Sequence, residues 1–119
     1  MKVTKQEFNQ FKRACLKYQK MLNLMDWTLY IGQEEMDDRR ASCYTLAANR
    51  TAKIVIATEW EPQDRDLGIE SLAAHEITHL WLATLSYLGE CRYVTESEMD
   101  LENERLAVIL SNILPRVRG

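Results

Sequence analysis

The chain has 119 residues, of which 46% are hydrophobic, and this size supports one compact domain over residues 1–119 with a single core. Its 15 basic side chains are interspersed with 18 acidic ones, and a net charge of -3 argues against nucleic acid as a partner. The sequence has neither an apolar run of the ~18–20 residues that a membrane span needs nor an N-terminal secretory signal, so we expect a soluble cytoplasmic protein with no membrane partner.

The first predicted element is an amphipathic helix over roughly residues 5–25. Thr4-Lys5-Gln6-Glu7 has the pattern of a capping box, which marks a helix start. Apolar residues then recur at steps of three and four, as on one helical face: Phe8, Phe11, Cys15, Tyr18, Leu22 and Met25. The aromatic and β-branched stretch from Trp27 to Gly32 predicts a strand after this helix.

Two further strands are predicted as a hairpin. Residues 40–48 and 53–58 flank Asn49-Arg50-Thr51, and asparagine favours turn conformations. The Ile54-Val55-Ile56 run is strongly strand-like. We therefore expect a small three-stranded, mostly antiparallel sheet, followed by a polar surface loop over residues 59–66 that contains Pro62.

Two helices complete the predicted α+β fold. Residues 67–87 carry apolar side chains on nearly every helical face, which predicts a buried helix, and Leu88-Gly89 supplies a stop signal. Thr95-Glu96-Ser97-Glu98 is a second capping-box pattern. It predicts a final helix that runs to just before Pro115.

The two histidines of the chain lie four residues apart, in His75-Glu76-Ile77-Thr78-His79. This is the H-E-x-x-H pattern of zinc metallopeptidases. Residues i and i+4 share a helical face, so both imidazoles can converge on one zinc ion. Glu76 is rotated about 100° from His75, beside the metal, where it is the candidate general base for a metal-activated water.

A catalytic zinc site normally has three protein ligands, so a third must come from elsewhere in the chain. The apolar stripe of the final helix, extended backwards, places Glu102 on the inward face, where a lone carboxylate needs a partner or a metal. Glu102 is therefore the preferred third ligand and Glu98, which has a capping role, is the second choice. The scattered thiols of Cys15, Cys43 and Cys91 lack C-x-x-C spacing and are expected as core residues in a reducing compartment.

The order of helix, three strands, H-E-x-x-H helix and glutamate-bearing helix resembles a minimal gluzincin, the class whose third zinc ligand is a downstream glutamate. The chain is also similar to small phage- and prophage-encoded metallopeptidases, in its size and in the stretch from Arg92 to Arg105. This resemblance implies one zinc ion held by His75, His79 and Glu102, with Glu76 as base. It also implies a bacterial host cytoplasm.

Two questions stay open at the level of sequence. Larger gluzincins of the thermolysin type have an E-x-x-x-D pattern, and Glu98-x-x-x-Glu102 read that way would make Glu98 the ligand. They also carry an oxyanion-stabilising His or Tyr, for which Tyr93, Tyr87 or Arg92 could substitute. The sequence thus predicts a zinc peptidase acting on a peptide or protein substrate, with a zinc-binding, catalytically silent or latent interaction module as the alternative.

Overall fold

A computed structural model describes residues 1–61, 68–91 and 94–113. Within these ranges the chain forms three helices and a three-stranded sheet, which confirms the predicted α+β class. The elements in chain order are α1 (Lys5–Met21), β1 (Thr28–Glu34), β2 (Ala41–Leu46), β3 (Thr51–Ala57), α2 (Ile69–Glu90) and α3 (Glu96–Ile113). Most of the predicted loop over residues 59–66 and the predicted end of the final helix lie outside the described residues.

Helix α1 begins at the predicted capping box. The backbone N–H of Glu7 donates to Thr4 Oγ1 over 3.1 Å, and the backbone N–H of Thr4 donates to Glu7 Oε1 over 2.9 Å. The helix ends at Met21, earlier than predicted, because Asn23 adopts a left-handed backbone conformation with φ of 58°. Met25 was predicted on the buried stripe, which is wrong, since it is 63% exposed.

The sheet has the strand order β1-β3-β2, with β3 in the centre. Strands β2 and β3 form the predicted antiparallel hairpin, and Arg50 in its turn has a positive φ of 55°. Strand β1 pairs with β3 in parallel. Residues 35–40 lead from β1 to β2 at the opposite edge of the sheet, and β3 then returns to the central position between them. The sheet is therefore mixed, and β2 is an edge strand.

Helix α2 is half-buried, so the expectation of a helix buried on every side is wrong. Its inward face packs into the core with Leu72, Ala73, Glu76, Ile77, Leu80 and Ala83. The opposite face, which includes His75 and His79, is exposed. The helix also continues through Gly89 to Glu90, past the predicted stop. A Cβ added at Gly89 would meet no atom within 4 Å, so tertiary contacts do not require glycine there.

The core lies between α1, α2 and one face of the sheet. Ile54 and Ile56 of β3 are fully buried there, as are Phe11 of α1 and Leu80 of α2. Helix α3 packs against α2 through its inward stripe, where Leu106 is 8% exposed. In the described part of the chain, no helix combines the length and apolar character that a membrane crossing requires.

Candidate metal centre

The two imidazoles of the H-E-x-x-H motif converge on one point. His75 Nε2 lies 3.2 Å from His79 Nε2, and the rings stand at 86° with their centroids 4.8 Å apart. Two nitrogen ligands of tetrahedral zinc, each about 2.0–2.1 Å from the metal, lie about 3.3–3.4 Å apart. Without a metal, 3.2 Å is the length of a hydrogen bond between the two rings, and it is also close to the separation of two zinc ligands, because the i, i+4 spacing on α2 brings the Nε2 atoms together.

The histidines open onto a cleft of about 610 Å³ between α2 and β2. Its lining residues are Arg39, Arg40, Ala41, Ser42, Cys43, Thr45, Leu72, His75, Glu76, His79, Ala83 and Ser86. Both rings are exposed in this cleft, although the helix that carries them was predicted to be buried. The convergence of the nitrogens, and not a cost of burial, is thus the physical reason to expect a metal here.

Glu76 lies at the base of the same cleft and is only 5% exposed. Burial raises the pKa of its carboxyl group above the usual value, while electrostatic interactions with His75, His79, Arg39 and Arg40 act in the opposite direction. A carboxylate with a raised pKa is a stronger base than a solvated one. The position and the environment of Glu76 therefore both suit a group that accepts a proton from water in the cleft.

The charge of Glu76 affects the pKa of two nearby thiols, those of Cys15 and Cys43. Burial raises the pKa of Cys15 to about 12, and the charges of Glu76 and Cys43 add to this effect. Burial, followed by the charge of Glu76, raises the pKa of Cys43 to about 12 as well. Because a metal ligand must be the thiolate, these protonated thiols fit the predicted role of core residues.

Glu102, the preferred third ligand, occupies the inward position predicted for it and is 6% exposed. Its carboxylate accepts hydrogen bonds from Arg105 Nε at 3.0 Å to Oε1 and 2.9 Å to Oε2, and a further one from Nη2. This pairing satisfies the buried charge within α3. Of the described residues, those that line the histidine cleft include none from α3.

The second-choice ligand, Glu98, lies in the first turn of α3, where Thr95 caps the helix. Its backbone N–H donates to Thr95 Oγ1 over 3.1 Å, and the Thr95 hydroxyl donates to Glu98 Oε1 over 3.2 Å. Across residues 1–61, 68–91 and 94–113, no three His, Cys, Asp or Glu side chains form a group that could hold a metal. The structure thus brings His75, Glu76 and His79 together, and the third ligand stays a prediction.

The three candidate oxyanion stabilisers are placed differently. Tyr87 is 43% exposed and lies outside the cleft lining, and a hydrogen bond with the Cys91 thiol raises its pKa. Arg92 and Tyr93 lie outside the described residues.

Sequence reasoning missed the two arginines of the cleft. Arg39 and Arg40 precede β2, and Arg39 Nη1 donates to Ser42 Oγ over 3.3 Å. Nothing in the local pattern links them to the motif, because only the pairing of β2 with the sheet carries them to α2. Comparisons of the chain with protein-family models, with curated proteins and with solved structures found no match.

Proposed function

We propose that this protein is a zinc-dependent metallopeptidase that hydrolyses peptide bonds. The single observation that carries the proposal is the 3.2 Å separation of His75 Nε2 and His79 Nε2 beside a buried glutamate. His75 and His79 would hold the zinc ion, and Glu102, the third ligand expected from the sequence, would have to leave its pairing with Arg105 to reach it. This assignment agrees with the resemblance of the chain to minimal gluzincins.

Zinc bound in the cleft would supply Lewis-acid activation of water and polarisation of the scissile carbonyl. The Glu76 carboxylate accepts a proton from the attacking water and then donates it to the nitrogen of the leaving amine. Leu72 and Ala83 line the cleft with Glu76, and because Glu76 itself is 5% exposed, bulk water solvates its carboxylate poorly. His75 and His79 are rigidly spaced because both belong to the same helix.

The substrate would lie extended along the edge of β2. In the described chain β2 pairs only with β3, so its other edge is unpaired, and Ala41, Ser42 and Cys43 of this strand line the cleft. A peptide in extended conformation can add a strand to such an edge through main-chain hydrogen bonds. This placement would bring a peptide bond to the histidines without a deep binding pocket.

A second candidate is a zinc-binding interaction module that is catalytically silent or latent. The Arg105–Glu102 pair favours it over an active enzyme, because a carboxylate held by two Arg105 nitrogens does not complete the three-ligand site that catalysis needs. The exposed cleft could then dock a partner protein by the same β2 edge. The two candidates share the histidine pair and differ in turnover.

Cleavage of a peptide library, read by mass spectrometry, tests the proposal. Zinc-loaded protein should hydrolyse peptides, chelation should stop the reaction, and Glu76→Gln should abolish hydrolysis while zinc stays bound. Glu70→Gln is the matched control, because Glu70 lies on the same helix but pairs with Lys17 outside the cleft. Undiminished turnover in Glu76→Gln contradicts the mechanism, and one bound zinc with no turnover on any peptide supports the silent module.

A further inference from the structure

The cleft beside the histidines has an excess of positive charge. Arg39 and Arg40 line it, and among the described lining residues the only carboxylate is that of Glu76, which is 5% exposed. Within the described part of the chain, neither guanidinium forms an ion pair with a carboxylate. The cleft thus presents two cations to any ligand that enters it.

Both arginines are held at the start of β2. The backbone carbonyl of Arg40 accepts from the Ala57 N–H over 2.8 Å and from Trp60 Nε1 over 3.2 Å. The guanidinium of Arg39 donates to Ser42 Oγ over 3.3 Å, which uses one of its five N–H donors. Its other donors have no hydrogen-bond partner among the residues that the structure describes, and the anchored backbone limits the conformational entropy lost on binding an anion.

The arginines also border a second cleft on their other side. Acidic residues line that cleft: Glu35, Asp37, Asp38, Glu59 and Glu61. Their negative charge repels an anionic ligand from that side, whereas Glu76 is the one acidic residue among those described on the histidine side. Arg39 and Arg40 also act on the charge of Glu76, so they lie within electrostatic reach of the candidate reacting centre.

We propose that Arg39 and Arg40 form a carboxylate-binding subsite, which makes the ligand of this cleft a peptide with a carboxylate near the bond that faces His75 and His79. Guanidinium groups bind carboxylates through paired, charge-assisted hydrogen bonds. A peptide that runs along the edge of β2 reaches these two residues at the N-terminal end of the strand. The carboxylate comes from an aspartate or glutamate side chain or from a free peptide C-terminus. The subsite deepens the proposed function and rests on it for the cleavage step.

Binding to Glu76→Gln tests the subsite without turnover. The first set of probes consists of alanine hexapeptides, acetylated and amidated at their ends, that carry one glutamate or its isostere glutamine at each position in turn. The second set is a pair of all-alanine hexapeptides, one with a free C-terminus and one with an amidated C-terminus. Titration calorimetry with zinc-loaded protein should show that at least one glutamate peptide binds about 10-fold more tightly than its glutamine counterpart. The free and amidated pair shows whether a terminal carboxylate serves equally.

Substitutions identify the residues that recognise the carboxylate. Arg39→Ala and Arg40→Ala, made in the Glu76→Gln background, should remove the preference for glutamate peptides. A variant in which Arg39 and Arg40 are both replaced by glutamate should instead prefer peptides that carry lysine at the same position. Arg13→Ala, at an exposed position on α1 and outside the cleft, is the matched control and should keep the preference. Circular dichroism confirms that each variant is folded.

Two outcomes overturn the subsite. One is equal binding of glutamate and glutamine peptides at every position, together with equal binding of free and amidated termini. The other is an equal loss of affinity for both kinds of peptide in the arginine variants, which would assign the arginines to general peptide binding. Hydrolysis by zinc-loaded wild-type protein is scored separately. Absence of all cleavage contradicts the proposed function, while the binding preference still decides the subsite.

Discussion

The pairing of Glu102 with Arg105 gives a prediction whose size can be worked out from the structure. The Glu102 side chain is 7% exposed and that of Arg105 is 31% exposed. Removal of one partner from a fully buried ion pair costs about 3–5 kcal/mol, because the other charge stays buried alone. Since solvent reaches a third of Arg105, we expect Arg105→Ala to lower the free energy of unfolding by about 2 kcal/mol.

This loss should be visible in a thermal melt. The average unfolding entropy, scaled to 119 residues, is about 0.25 kcal/mol/K, so a loss of about 2 kcal/mol lowers the Tm by about 8 °C. Differential scanning calorimetry of metal-free protein measures it, and Arg13→Ala is the control for loss of an exposed arginine. The double variant with Glu102→Ala should then show a coupling energy of about 1–2 kcal/mol.

A coupling energy below about 0.5 kcal/mol would refute this account of the pair. The same variants also test the third ligand. If Glu102 binds zinc, Glu102→Ala weakens zinc binding while Arg105→Ala leaves it intact or strengthens it. If Glu102 acts only as the partner of Arg105, both variants lose stability and neither loses zinc affinity.

Three further predictions concern the α3 cap and the buried thiols. Thr95→Ala should lower the free energy of unfolding by about 1 kcal/mol in denaturant titrations, because it removes the acceptor of the Glu98 N–H, whereas Ser97→Ala in the same turn should have little effect. In native protein at pH 8, Cys15 and Cys43 should react with iodoacetamide orders of magnitude more slowly than in denatured protein. A pKa of about 12 leaves only about one thiol in ten thousand as the reactive thiolate at this pH. Equal reaction rates in the native and denatured states would contradict the raised pKa values. Since the folded pKa of Cys15 lies above the ordinary thiol value, its contribution to stability is complete below about pH 8.5 and is lost as the pH rises towards 12. In this range the free energy of unfolding should fall by up to about 1.4 kcal/mol per pH unit because of Cys15. Urea titrations should therefore show a smaller fall in the free energy of unfolding for Cys15→Ala than for the wild type.

Local patterns predicted the parts of the fold that depend on neighbours in sequence. The Thr4 capping box starts α1, and the strand-like run from Ile54 to Ile56 forms β3 of the hairpin. The parallel pairing of β1 with β3 was not predicted, because strand order depends on how residues 35–40 cross the sheet. Likewise, Gly89 stays helical although glycine often ends a helix, since the propensity cost of about 1 kcal/mol is small.

In the candidate site, too, the sequence predicted the residues that lie close together in the chain and missed those that the fold brings from another element. His75, Glu76 and His79 share one helix, so their spacing alone predicted that they meet in one cleft. Arg39 and Arg40 come from a different element, and their place beside α2 follows only from the position of β2 at the sheet edge. The inward position of Glu102 followed from the helical stripe, whereas its bond to Arg105 depends on a side-chain rotamer that the sequence pattern does not encode.

Zinc titration of wild-type protein beside His75→Ala and His79→Ala tests most directly whether α2 carries a metal site. Isothermal titration calorimetry should show one zinc ion per chain, with an affinity at least about 10-fold lower in each variant, since each loses one of the two converging nitrogens. Equal zinc affinity in all three proteins, or no binding to the wild type, would contradict the account.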